Sequence, residues 1–135
     1  LLTQRIHKIL GSNIRNKNIS FLGVTFKPNT DDMRDSSSLK LIPYLSRRGA
    51  QIKYYDPTGF KKEFSKLKNV EFSQSIQDSI KGSDLIIIHT DWNDYKSIKF
   101  KIFSKNKNII IYEMRNICSP DKIKKMGFKY FGIGR

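Results

Sequence analysis

The segment FKPNTDDMRDSSS, Phe26 to Ser38, gathers a lysine, an arginine, three aspartates and three serines into thirteen residues. Lysine presents a compact point charge. Arginine presents a planar fork of donors that grips a phosphate or carboxylate through two parallel bonds. The segment follows the apolar run ISFLGVT and precedes LKLIPYLSRRG, which has helical spacing. A strand-to-helix connection ordinarily needs only about 2–6 residues, so this one carries more polar chemistry than the connection itself requires. Asp31, Asp32 and Asp35 either cap the helix that follows or pair with Arg34. Pro28 prevents a helix from starting at once and biases Lys27 to extended geometry, which holds Lys27 outward.

Other polar residues also cluster just after apolar runs. YYD leads into PTG, LIIIHT into DWNDY, and IIIYEM into Arg115 and Asn116. In open α/β sheets, ligands bind outside the carboxyl ends of the strands. One rim is therefore expected to collect Lys27, Arg34, His89, Thr90, Trp92, Arg115 and Asn116. Two arginines and a lysine on one rim suit phosphates. His89 reads as a hydrogen-bonded residue at a strand end rather than a base, and Trp92 as a packing anchor beside the cleft. No G-x-G-x-x-G occurs, and Gly23 stands alone before VTFKP. The first turn is thus not a glycine-rich dinucleotide cradle.

The elements that must position these residues alternate between strand and helix. Residues 1–10 form an amphipathic helix stopped by Gly11. Strands are expected at 18–26, 51–56, 70–72, 84–90, 108–114 and 129–133. DLIIIHT, with its run of β-branched residues, reads as a strand buried on both faces, the mark of a parallel sheet. Helices are expected at 36–49, with a serine cap and Gly49 as stop, and at 73–82, again serine-capped. Pro43 should kink the first of these or shift its start. A short helix or turn is expected at 60–67, a short helix within 91–100, and another at 121–127. This alternation predicts a Rossmann-like α/β/α fold, a mainly parallel sheet of about six strands with helices on both faces.

The chain has 135 residues, enough for one domain with a real core. No apolar run approaches the roughly 20 residues a membrane span needs. One cysteine, Cys118, excludes an internal disulfide and suits a reducing, cytoplasmic compartment. The first residue, Leu1, suggests a piece of something longer. The net charge is +14. That raises the question of an anionic partner, a nucleotide or a nucleic acid. The lysines are dispersed among Asn, Ser and Ile, which favours a solvated basic surface over a nucleic-acid footprint.

FLGVTFKPNTDDMRDSSSLKLIPYL, GAQIKYYDP, DLIIIHTDWNDY, YEMRNI and GFKYFGIGR occur in that order across essentially the whole chain. Together they resemble the C-terminal domain of UDP-glucose 6-dehydrogenases, of the UDP-glucose/GDP-mannose dehydrogenase family. The resemblance implies oxidation of C6 of UDP-glucose with two NAD, giving UDP-glucuronate, by a three-part, homodimeric enzyme in which this domain's partners are the N-terminal and central domains of the same chain. It implies that residues 1–15 are the tail of a linking helix and 16–135 the UDP-sugar-binding domain. Lys27 and Arg115 would then contact the sugar nucleotide, and Arg34 the bound NAD at the domain interface. No catalytic residue and no metal ligand is expected in this chain. The family's cysteine nucleophile belongs to another domain, and NICSP around Cys118 does not match its glycine-rich setting. Glu113 and Met114 depart from the family pattern, in which many relatives have Asp and a small residue before the arginine. Two other readings remain: a dehydrogenase for a UDP-N-acetylhexosamine or GDP-mannose, and a basic nucleic-acid-binding domain.

Overall fold

A computed structural model describes residues 2–96, 109–114, 121, 124 and 129–132. Helix α1 (Leu2–Leu10) leads into β1 (Asn18–Leu22), α2 (Ser38–Arg47) and β2 (Gln51–Tyr55). A single 3-10 turn (Lys62–Phe64), β3 (Val70–Phe72), α3 (Ile76–Ile80) and β4 (Leu85–Ile88) follow. Then come α4 (Asn93–Lys96), β5 (Ile110–Glu113) and β6 (Lys129–Gly132). The six strands form one sheet in the order β3-β2-β1-β4-β5-β6, and every neighbouring pair is parallel. This is the doubly wound arrangement expected from the alternation of elements. Its strand order reverses between β1 and β4.

Side chains alternate across a strand, so each strand feeds two cores. Ile19 and Phe21 of β1, Ile52 and Tyr54 of β2, and Leu85 and Ile87 of β4 face one side. There they meet Leu41, Ile42 and Leu45 of α2 and Ile6 of α1. Phe64, from the turn after β2, joins that layer edge-on to Tyr54 at 5.3 Å. Leu22, Ile86, Ile88 and Ile111 face the other side and meet Ile80 of α3, with Trp92 and Tyr95 after β4. All four residues of β4 are buried, as its apolar run predicts. In the second layer a small residue of β1 sits opposite a small residue of α3: Ser20 Oγ lies 2.7 Å from Ser79 Oγ, which lets α3 approach β1 closely.

Helix α1 is docked on the first layer. Ile6 is fully buried, His7 Nε2 lies 2.9 Å from the Tyr44 hydroxyl, and Arg5 donates to the carbonyl of Gly132 at 3.3 Å. Helix α2 ends where Gly49 adopts φ +89. Its amide donates to Ser46 O at 3.0 Å and the next amide to Leu45 O at 3.2 Å. Only a residue without Cβ takes that left-handed position at little cost.

Two local expectations are corrected. The first strand ends at Leu22 rather than running to Phe26, because Gly23 turns the chain with φ +80. The helix begins at Ser38 and runs through Pro43 to Arg47, with no side-chain cap at Ser37. The serines have a different use, described below. The cap on α3 is as expected: Ser75 Oγ accepts from the Asp78 amide at 3.1 Å. Most of the helix expected at 121–127, and residues 97–100 of the one expected within 91–100, lie outside the described residues.

Candidate sugar-nucleotide site

The reversal of strand order places the carboxyl ends of β1 and β4 at the switch point, where open α/β sheets hold ligands. Gly23 and Thr90 meet there. A Cβ on Gly23 would fall 2.7 Å from Thr90 Cβ and 2.9 Å from its Oγ1. Glycine at this position is therefore required twice, for its positive φ and for the close approach. The Thr90 hydroxyl donates across to Thr25 O at 2.9 Å. His89, buried to 2% exposure, lies 3.1 Å from that hydroxyl through Nδ1. Its Nε2 is 2.8 Å from Ser37 Oγ at the start of α2. His89 is thus a hydrogen-bonded strand-end residue that ties β4 to α2, as its position suggested.

The loop that leaves Gly23 is held from inside. Ser36 and Ser38 both donate their hydroxyls to Val24 O at 2.6 Å, and these two oxygens lie 2.8 Å apart. The serines of the DSSS run therefore staple the helix start to the strand end instead of capping the helix. Asp56, at the end of β2, accepts the Val24 amide at 2.9 Å through Oδ2. In a glycine-rich nucleotide fold, amides of this turn face pyrophosphate. Here a carboxylate of the chain itself takes one of them.

The outer half of the loop carries the charges. Lys27 and Arg34 are exposed. Arg34 Nε donates to Asp32 Oδ1 at 3.0 Å, and Nη2 to Oδ2 at 3.0 Å. The bidentate bond holds the Asp32 carboxyl down at about 2, with the Arg34 amide and the nearby Lys27 charge adding to the effect. The same bond raises the Arg34 guanidinium. A guanidinium has five N–H donors, and Asp32 engages the Nε edge. The Nη1 edge is left on a side chain that is 89% exposed. Of the two roles open to the aspartates, Asp32 takes the pairing role.

Thus Lys27, Arg34, His89 and Thr90 share one rim, the first two exposed and the second two buried. Trp92, 7% exposed, is a packing anchor against the second core. Its buried Nε1–H finds no acceptor among the described residues. Arg115 and Asn116 lie outside them. Glu113, just before that segment, is fully buried and accepts from the Tyr130 hydroxyl at 2.8 Å. Sequence reasoning missed Asp56. The run YYDPTG was read only as a strand end, and nothing local links it to Val24, thirty-two residues earlier.

A cavity of about 520 Å³ opens at the opposite end of the sheet, among Asn18, Gln51, Lys68 and Gly82. It contains none of the residues that the motif brings together, so the switch-point rim is the better candidate. Among the described residues, no three His, Cys, Asp or Glu side chains group as a metal site. No helix there is long and apolar enough to cross a membrane.

Residues 20–120 match the model of the UDP-glucose/GDP-mannose dehydrogenase family, UDP binding domain. The chain belongs to the UDP-glucose/GDP-mannose dehydrogenase family. Within it, the chain corresponds to the C-terminal UDP-binding domain. It is 35% identical over 93% of its length to a UDP-glucose 6-dehydrogenase of Rhizobium meliloti, covering 29% of that protein. It is 34% identical over 90% of its length to one from Bacillus subtilis, covering 28%. The chain therefore spans a little under a third of these relatives. Among solved structures, it superposes with a TM-score of 0.79, at 27% identity, on an NDP-N-acetyl-D-galactosaminuronic acid dehydrogenase from Methanosarcina mazei. That match covers 99% of this chain and 28% of the other. A UDP-glucose dehydrogenase from Pyrobaculum islandicum matches at 0.75 and 26%, over 96% of this chain and 28% of the other. The polar loop thus lies at the switch point of a domain whose family model is described as UDP binding.

Proposed function

We propose that this chain is the sugar-nucleotide-binding domain of an NAD-dependent enzyme that oxidises C6 of UDP-glucose to the carboxylate of UDP-glucuronate. The observation that carries the reading is the loop from Val24 to Ser37. It is stapled to the sheet by Ser36, Ser38 and Asp56, and it presents Lys27 and Arg34 outward. Residues 1–15 are read as the tail of a linking helix and 16–135 as the binding domain, in a homodimeric cytoplasmic enzyme.

In this reading Lys27 supplies a positive charge to the diphosphate or the sugar, and Arg115 a second contact to the sugar nucleotide. Arg34 reaches NAD bound chiefly by another domain. The exposed Nη1 edge of Arg34 fits that role: the guanidinium can meet a phosphate while Asp32 keeps its plane fixed. NAD, when bound, supplies the hydride acceptor for both oxidation steps. In this reading the rim residues bind and orient the ligands.

The identity of the sugar has a second reading. The sequence relatives above are named for UDP-glucose, whereas the Methanosarcina structure is named for an N-acetylated uronic acid sugar nucleotide. The wording KPNTDDMR favours UDP-glucose.

Substitution tests the assignment. In the full-length enzyme, Lys27→Ala and Arg115→Ala should each raise the KM for UDP-glucose by about 10- to 100-fold, since a charge-assisted contact contributes roughly 1.5–3 kcal/mol. Unchanged kinetics in both variants would remove the rim from the site.

A further inference from the structure

Asp56, Thr58 and Lys61 make a second, internal charge arrangement that the site as described does not use. Asp56 is 2% exposed and Lys61 6%. Their charges do not touch. The Thr58 hydroxyl stands between them, donating to Asp56 Oδ1 at 2.5 Å and accepting from Lys61 Nζ at 2.5 Å. The Thr58 amide also donates to Oδ1 at 2.9 Å. Oδ2 is left for the Val24 amide. Lys61 is anchored in turn, its amide donating to the buried Tyr54 hydroxyl at 2.8 Å. Thus the turn after β2, residues 56–61, is closed into a clamp whose one outward bond ends on the base of the Lys27–Arg34 loop.

We propose that Asp56, Thr58 and Lys61 are positioning residues for the sugar-nucleotide site. The Asp56 carboxylate is an internal anion that takes the Val24 amide, which a ligand phosphate could otherwise bind. The ligand is thereby directed to the outer half of the loop, at Lys27 and Arg34. Lys61, acting through the Thr58 hydroxyl, keeps the Asp56 carboxylate aimed at Val24. A buried carboxylate with a relayed cation costs less to desolvate than an isolated one. The hydroxyl is the one part of the relay that can be removed without burying a new charge. The inference rests on the sugar-nucleotide reading above.

The test uses the full-length enzyme and three variants. Thr58 is exposed and sits in a turn, so Thr58→Val should fold. It breaks the relay while keeping the shape of the side chain. We expect the KM for UDP-glucose to rise about tenfold, the order expected for one lost hydrogen bond at a charged group, with kcat changed much less. Amide exchange at Val24 should accelerate in the same variant. Thr58→Ser, which restores the hydroxyl, should return both readouts to wild type. Asp56→Asn should reproduce Thr58→Val, because an amide nitrogen only donates and the one remaining oxygen cannot serve both the Val24 and Thr58 amides.

Faster exchange at Val24 with an unchanged KM, in a wild type that uses UDP-glucose, would overturn the positioning role and leave the proposed function standing. Unchanged exchange would overturn the clamp itself. A wild type indifferent to UDP-glucose would overturn the proposed function and the ligand half of this inference together. A loss in Thr58→Val that Thr58→Ser does not rescue would assign the effect to packing and overturn the relay.

Discussion

At the residue scale, Asp32 and Arg34 behave as one unit. The bidentate bond lowers the Asp32 carboxyl to about 2 from an ordinary 3.8. A carboxyl depressed on folding stabilises the folded state above its unfolded value. That contribution fades as pH falls below about 3.8 and is gone below about 2. A carboxylate-detected NMR titration should place the Asp32 midpoint near 2, and Arg34→Ala should return it toward 3.8. An unshifted midpoint in the wild type would mean that the fork is open in solution. Gly23 is the second residue whose environment fixes its identity. Gly23→Ala places a Cβ 2.7 Å from Thr90 Cβ at a positive φ. It should cost about 2–4 kcal/mol in urea unfolding, from backbone strain and overpacking together. The pairing of Asp32 with Arg34 was open to sequence reasoning, because they stand only two positions apart. The reach of Asp56 to Val24 was not, because it depends on β1 and β2 lying side by side. The run DPT does carry the signature of a side chain that bonds to its own turn, which accounts for the Thr58 half alone.

At the scale of elements, the serines before α2 show how local patterns mislead. Serine before an apolar periodic run signals an N-cap. Here the first turn lies against the end of β1, and Val24 O offers Ser36 and Ser38 a buried acceptor. The tertiary contact overrides the local preference. Two donors on one carbonyl make a testable redundancy. Ser36→Ala or Ser38→Ala alone should cost only about 1 kcal/mol, since the other hydroxyl still satisfies Val24 O. The double variant should cost more than the sum, because the buried carbonyl is then orphaned. Additive losses in a double-mutant cycle would show that the two bonds act independently. The strands were more legible than the helix starts. LIII is apolar at every position, so only a strand covered on both faces can bury it. β1 was read four residues too long, because VTF continues the apolar run past the turn that Gly23 imposes.

At the scale of the whole molecule, the fold and the candidate rim meet at one place. The order β3-β2-β1-β4-β5-β6 reverses between β1 and β4. The motif residues that resemble the family's sit on the loop leaving β1. The parallel sheet and its two cores could be read from alternation and from the continuous apolar runs. Which side chains meet across the rim could not, because it depends on strand order, to which spacing along the chain is blind. The chain spans under a third of these relatives, so the proposed activity is one to test in the full-length protein. The central claim is tested most directly by steady-state NADH production by that enzyme, with UDP-glucose, a UDP-N-acetylhexosamine and GDP-mannose compared at equal concentration. The account predicts that UDP-glucose is used with the highest kcat/KM and yields two NADH per sugar nucleotide. Preference for an N-acetylated or guanosine sugar nucleotide, or no turnover of any of the three, would contradict it.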